Sequence, residues 1–154
     1  MRWGSNRSIK MTTCFLIPGK PRGKERPRFN SATKTTYTPP ATVAYERTVK
    51  YSYLSSTQAG ERMHSGPVRV EIDAVFTVPT AWRVSKKKRA LAGAVAPENK
   101  PDCDNIAKAI LDALNGIAYK DDSQVAYLVV RKRFGEKPFC TVRIESGGYG
   151  NDTE

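Results

Sequence analysis

Two pairs of aspartates bracket one short apolar-periodic run: Asp102 and Asp104 before it, Asp121 and Asp122 after it. The chain around them is basic, with 26 lysines and arginines against 15 acids and a formal net charge of +11 over 154 residues. That balance points to a polyanionic partner. Carboxylates repel phosphate, so four of them held together in such a chain need a reason. A divalent cation supplies one. Mg²⁺ is hard and takes oxygen ligands, with Mn²⁺ as an alternative. Zinc chemistry is disfavoured. Cys14, Cys103 and Cys140 are widely spaced with no Cys-x-x-Cys, and the only histidine, His64, sits in a polar stretch. Such cysteines read as reduced cytoplasmic thiols.

The spacing must then place the acids. In an extended segment Asp102 and Asp104 point to one side and Cys103 to the other. From about Asn105 the pattern turns helical: Ile106, Ile110, Ala113 and Ile117 form one buried stripe. Asp104 is the expected N-cap, and Lys108 and Asp112 follow at successive turns off the stripe. Asn115-Gly116 ends the helix, and Asp121-Asp122 open a strand over 125–134 that can fold back beside the first pair. Each piece has a plainer reading. Asp-x-Asp before a helix is often capping, and Asp-Asp is often a turn. A calcium loop fails, because the sixth residue from Asp102 is Ala107 and the twelfth is Ala113.

The stretch KPDCDNIAKAILDALNG…YKDDSQV, residues 100–125, resembles the central signature of the RusA family of Holliday junction resolvases. That signature has Asp-x-Asp-Asn, a lysine four residues after the second Asp, Asp-x-Leu in the helix, then Asp-Asp-x-Gln-Val. All of these positions are matched here, and a looser likeness extends from about Cys14 to Glu145. The resemblance implies that Asp102, Asp104 and Asp122 are catalytic, metal-binding carboxylates and that Lys108 is the essential basic residue. Asp121 is a further metal-ligand candidate, and spacing leaves open which of Asp121 and Asp122 ligates. It also implies an α/β fold and a homodimer.

The remaining elements give one α/β (α+β) domain over 13–146. A flexible lead is expected over 1–12 and a flexible tail over 147–154. Strands are expected at 13–17, 67–76, 125–134 and 139–145, giving a mixed sheet of about four strands. The last two should form a hairpin through Gly135–Pro138. Helices are expected at about 41–55, with only weak amphipathicity, and at 85–92, capped by Ser85. Between the first strand and first helix runs PGKPRGKERPRF, where Lys20, Arg22, Lys24, Arg26 and Arg28 alternate along an irregular loop. Such a loop can track a phosphate backbone, with Phe29 or Tyr37 to stack on a base. Lys86, Lys87 and Lys88 are further DNA-contact candidates; each basic run also reads as a solvated face. No apolar run reaches the roughly 20 residues of a membrane span.

Together these expectations describe a Mg²⁺-dependent endonuclease resolving branched, four-way DNA by paired phosphodiester cuts. One rival is a non-catalytic nucleic-acid-binding protein whose acids are caps. Another is a different metal-dependent phosphoryl-transfer enzyme. One chain carries one acidic cluster, so paired cuts require two chains. Trp82, Val84, Leu91 and Val95 mark 79–97 as the candidate interface. Asp112→Asn is expected to retain most activity.

Overall fold

The computed structural model describes residues 10–57 and 63–147. Most of the expected lead and tail, and residues 58–62 of the polar loop, lie outside the described residues. The elements run β1 (Met11–Pro18), β2 (Arg28–Asn30), β3 (Thr35–Tyr37), α1 (Pro40–Ser56), β4 (Val68–Thr77), α2 (Val84–Leu91), α3 (Cys103–Leu114), β5 (Val125–Gly135) and β6 (Phe139–Ser146). A single 3₁₀ turn at Asp122–Gln124 leads into β5.

Four strands form a mixed sheet in the order β1-β6-β4-β5. The fold is α+β, as expected. β4 and β5 are parallel, whereas β6 is antiparallel to both β1 and β4. Parallel neighbours need a crossover, and the segment holding α2 and α3 supplies it. One expectation fails here: β5 and β6 are not a hairpin, because β4 lies between them. The Gly135–Pro138 link instead crosses over the end of β4. A Cβ at Gly135 would lie 2.5 Å from Val75 Cγ1, so the crossing passes where only glycine fits. A small antiparallel ribbon, β2–β3, is an addition to the expected elements. Its turn is closed by Asn30 Oδ1, which accepts from the backbone N–H of Ala32 at 2.9 Å.

One face of the sheet is apolar. Phe15 and Ile17, then Val68, Val70, Ile72 and Ala74, then Cys140, Val142 and Ile144 are all buried. They recur at every second residue, the period of a pleated strand. α3 covers this face with Ile106, Ile110 and Leu114, and the smaller Ala107, Ala109 and Ala113 allow close approach. α1 covers the rest. Thr42, Tyr45, Val49 and Tyr53 turn inward, while Val43, Tyr51 and Leu54 stay exposed. The two tyrosines decide the face: Tyr53 meets Phe15 edge-on at 5.5 Å, and Tyr45 OH reaches Cys140 Sγ at 3.6 Å. His64 is a core residue rather than part of a polar loop. Its ring nitrogens bond Thr13 Oγ1 at 2.9 Å and Ser146 Oγ at 2.7 Å. The cysteines are free thiols. No helix among the described residues is long and apolar enough to cross a membrane.

Candidate active site

The site is built along α3. The helix starts earlier than its periodicity suggests. Asp102 is the N-cap residue, with extended backbone, and the Ile106 N–H already bonds the Asp102 carbonyl at 3.0 Å. Asp104 therefore lies in the first turn and is not the cap. Asp102 makes no side-chain capping bond either. Both carboxylates are exposed, with no hydrogen-bond or ion-pair partner among the described residues. They are spare carboxylates at the positive end of a helix, where negative charge is tolerated.

One turn below Asp104 is Lys108, and below that Asp112. Lys108 Nζ lies 3.4 Å from Asp112 Oδ2. Lys24 Nζ approaches the same oxygen at 3.5 Å and also pairs with Glu46 of α1. Burial pulls the Lys24 ammonium down, but Glu46 and Asp112 outweigh it and leave it raised. Lys24, expected to face DNA, is thus turned inward to the acidic row.

The second aspartate pair divides its labour. Asp121 works in the turn: its carboxylate accepts from the Ser123 hydroxyl, which holds it below the usual carboxylate range. Gln124 completes a capping box there, its Oε1 accepting from the Asp121 N–H at 3.2 Å. The same amide donates to the carbonyl of Gly66 at 3.0 Å, which ties the turn to the entrance of β4. Asp122 instead faces α3. Its carboxyl is raised by burial first, then by Asp121 and by Asp112, which is within hydrogen-bonding reach; Lys108 opposes the shift. Beneath them the Tyr119 hydroxyl donates to the Leu111 carbonyl at 2.8 Å, and burial with the three aspartates raises its pKa.

The structure thus brings together Asp122, Asp121, Asp112, Lys108, Lys24 and Glu46, with Asp104 and Asp102 further up the same helix. It forms a row, not a closed cage: no three His, Cys, Asp or Glu among the described residues group tightly enough to hold a metal. Mg²⁺ is commonly held by one or two carboxylates plus substrate phosphate and water, so an open oxygen-only row fits it. Two observations support that fit: the partnerless Asp102 and Asp104, and the burial and neighbouring carboxylates that raise Asp122.

The basic loop is strapped against the start of α3. Gly23 packs so closely on Asn105 and Pro101 that a Cβ would lie 3.1 Å from each. The Lys24 N–H donates to the Asn105 carbonyl at 3.1 Å. Between loop, α1 and α3 lies a cavity of about 380 Å³, lined by Lys20, Arg22, Lys100, Asp102 and Thr42 among others. The Thr42 hydroxyl there is buried without a partner among the described residues. Lys20, Arg22, Arg26 and Arg28 are exposed, and the ribbon that follows presents Phe29 and Tyr37 to solvent. On α2, Lys86 and Lys88 are exposed and Lys87 half-buried; the N-cap position is Arg83, so Ser85 does not cap this helix.

Because Lys24 is internally paired, contact of this loop with phosphate would rest on its neighbours. Replacing Lys20, Arg22 and Arg26 together with alanine is expected to weaken DNA binding. The slope of log K against log salt should flatten by about 0.9 for each phosphate that is no longer neutralised. Titrations at several salt concentrations measure it, and an unchanged slope assigns these side chains to solvent.

Three participants escape a reading of the sequence. Asp112 has the helical spacing from Lys108 but reads as a bystander. Glu46 and Thr42 carry no local signal, since they reach the site only through the packing of α1 on α3.

A basic α+β domain with a row of carboxylates on its central helix has the donor chemistry that metal-assisted phosphodiester hydrolysis requires. The pattern of the endodeoxyribonuclease RusA family matches residues 18–145, and the chain belongs to that family. The family resolves Holliday junctions as endodeoxyribonucleases, generally with divalent metal ions. The chain is also similar to the uncharacterized protein YqaN of Bacillus subtilis (strain 168), at 35% identity over 133 residues, covering 84% of this chain and 93% of that protein.

Proposed function

We propose that this chain is a Mg²⁺-dependent, homodimeric endonuclease that cuts four-way DNA junctions in paired fashion. The observation that carries this reading is that Asp102 and Asp104 have no structural employment at the head of α3, beside a strapped basic loop. Mn²⁺ is expected to substitute, because the donors are all oxygen.

Asp102, Asp104 and Asp122 would hold the ion; Asp121 is committed to Ser123 and its turn. When bound, the ion neutralises charge on the scissile phosphate and acidifies a coordinated water. Asp112 fixes Lys108 through their ion pair, which aims an ammonium at charge developing on the phosphate. Lys24, itself held by Glu46, shares the Asp112 carboxylate. Asp112 is on this view a positioning residue, so Asp112→Asn should cost activity through Lys108. Paired cuts on strands related by a two-fold axis call for two such rows, one from each subunit of a C2 dimer.

The test is a nicking assay on synthetic four-way and linear duplex DNA, with Mg²⁺, with Mn²⁺ and with chelator, alongside sedimentation at micromolar protein without DNA. Metal-dependent paired incision of the junction by a dimer is the expected result. Tight junction binding with no incision under any metal would make the protein a non-catalytic binder.

A further inference from the structure

A second pocket, outside the acidic row, is lined mainly from the 76–100 stretch. It has a volume of about 320 Å³, at the small end of ligand pockets, which run to about 300–1,000 Å³. Its walls are aromatic. Trp82 meets Phe134 edge-on at 5.3 Å, and Phe76 lines the same space. Its rim is cationic. Lys20 and Lys100 border both this pocket and the cavity at the head of α3, so the two are neighbours. Lys86 Nζ rides over the Trp82 ring, 3.8 Å from its centroid. Lys132 donates to the Asn99 carbonyl at 2.5 Å, which pins the loop forming the far wall.

We propose that this pocket receives an unpaired nucleobase of the bound DNA, stacked on Trp82, with its phosphate on Lys86, Lys20 and Lys100. The proposal rests on the nuclease reading for the presence of branched DNA but not for its test. Ring faces bind any base by stacking, and rim ammonium groups suit the phosphate that comes with it. Lys86 has a path between two states. In the free protein it covers the indole; as a base displaces it, it moves to the phosphate. An exposed cation–π contact is the weaker of the two interactions, so the exchange favours the bound state. The alternative occupant of 79–97, a second copy of the chain, is disfavoured by charge. An isologous contact would press the basic patch of Lys86, Lys87, Lys88 and Arg89 against the same patch of the second copy, with Glu98 the only acid among the described residues that line the pocket.

The chain has two tryptophans, Trp3 and Trp82, so Trp3→Phe leaves Trp82 as sole reporter. This protein, in chelator, is titrated with a short oligothymidylate and with blunt duplex, while anisotropy of a labelled strand follows binding. Saturable quenching by the single strand and little by the duplex is expected. Trp82→Ala should weaken single-strand binding about tenfold, Trp82→Phe much less, and both should leave duplex affinity within about twofold. Three results overturn the proposal: no quenching while the strand is bound, equal quenching by duplex, or a Trp82→Ala protein altered only in sedimentation. If Trp82→Ala does not fold, quenching in the Trp3→Phe protein decides. Cleavage is read separately, in the nicking assay, so a protein that quenches but never cuts sinks the nuclease reading and keeps the pocket. One that cuts without quenching does the reverse.

Discussion

Asp104→Asn is expected to leave four-way DNA bound but uncut. The carboxylate it removes is exposed in the first turn of α3 and has no partner among the described residues. The fold therefore loses at most the small favourable effect of a charge at the helix N-terminus, and a melting temperature near that of the wild type should confirm it. Binding should hold or tighten, because one negative charge leaves a phosphate-facing surface. Cleavage should fall to background, because metal-assisted hydrolysis cannot proceed with its ion displaced. Asp102→Asn and Asp122→Asn are expected to match it in rate. They should differ in stability: removing the Asp122 charge relieves the cost of burying it and the repulsion from Asp121 and Asp112, so that variant should melt higher than the wild type. Single-turnover cleavage, gel-shift binding and thermal melts on the three variants separate these outcomes. Cutting by Asp104→Asn at near wild-type rate would reduce this carboxylate to a helix-end charge.

Lys108→Ala should show the opposite balance from a plain phosphate-binding lysine. Removing a donor aimed at developing charge costs on the order of 3 kcal/mol, or about a hundredfold in rate. The lysine side chain is 61% exposed and its pair with Asp112 is a surface i,i+4 contact, so folding should barely notice. Junction affinity should drop only severalfold. Equal losses in rate and affinity would recast Lys108 as a binding residue. Asp112→Asn should follow Lys108→Ala in direction with a smaller effect, because it loosens the ammonium without deleting it.

Much of this is legible locally. The strand at 68–77 announces itself by strict alternation, and the helix at 103–114 by its isoleucines. The acids stand out as a contradiction within a basic chain. What escapes is non-local. Gly135–Pro138 has the composition of a hairpin turn, yet whether β5 and β6 touch depends on where β4 inserts. The buried face of α1 depends on tyrosines that pattern-reading counts as half polar, and their partners, Phe15 and Cys140, are distant in sequence. The distinction between Asp121 and Asp122 is invisible in the motif. It comes from Ser123 and Gln124, which claim the first and leave the second to face α3. His64 misleads for a similar reason: its polar neighbours conceal two hydroxyl partners on β1 and β6.

The sheet order also sets a schedule for the growing chain. β6, the last strand, occupies an interior position and pairs with β1 on one side and β4 on the other. Until residues 139–146 emerge, β1 and β4 have no common partner, and both present open edges to other chains. Helices can form early, but the apolar floor on which α3 lies includes Val142 and Ile144 from that final strand. Long-range closure of this kind is slow and is completed late. The acidic row is therefore not held in place on a nascent or truncated chain. A protein able to cut DNA gains from this a built-in delay, since the scaffold beneath its carboxylates closes only when the domain is whole.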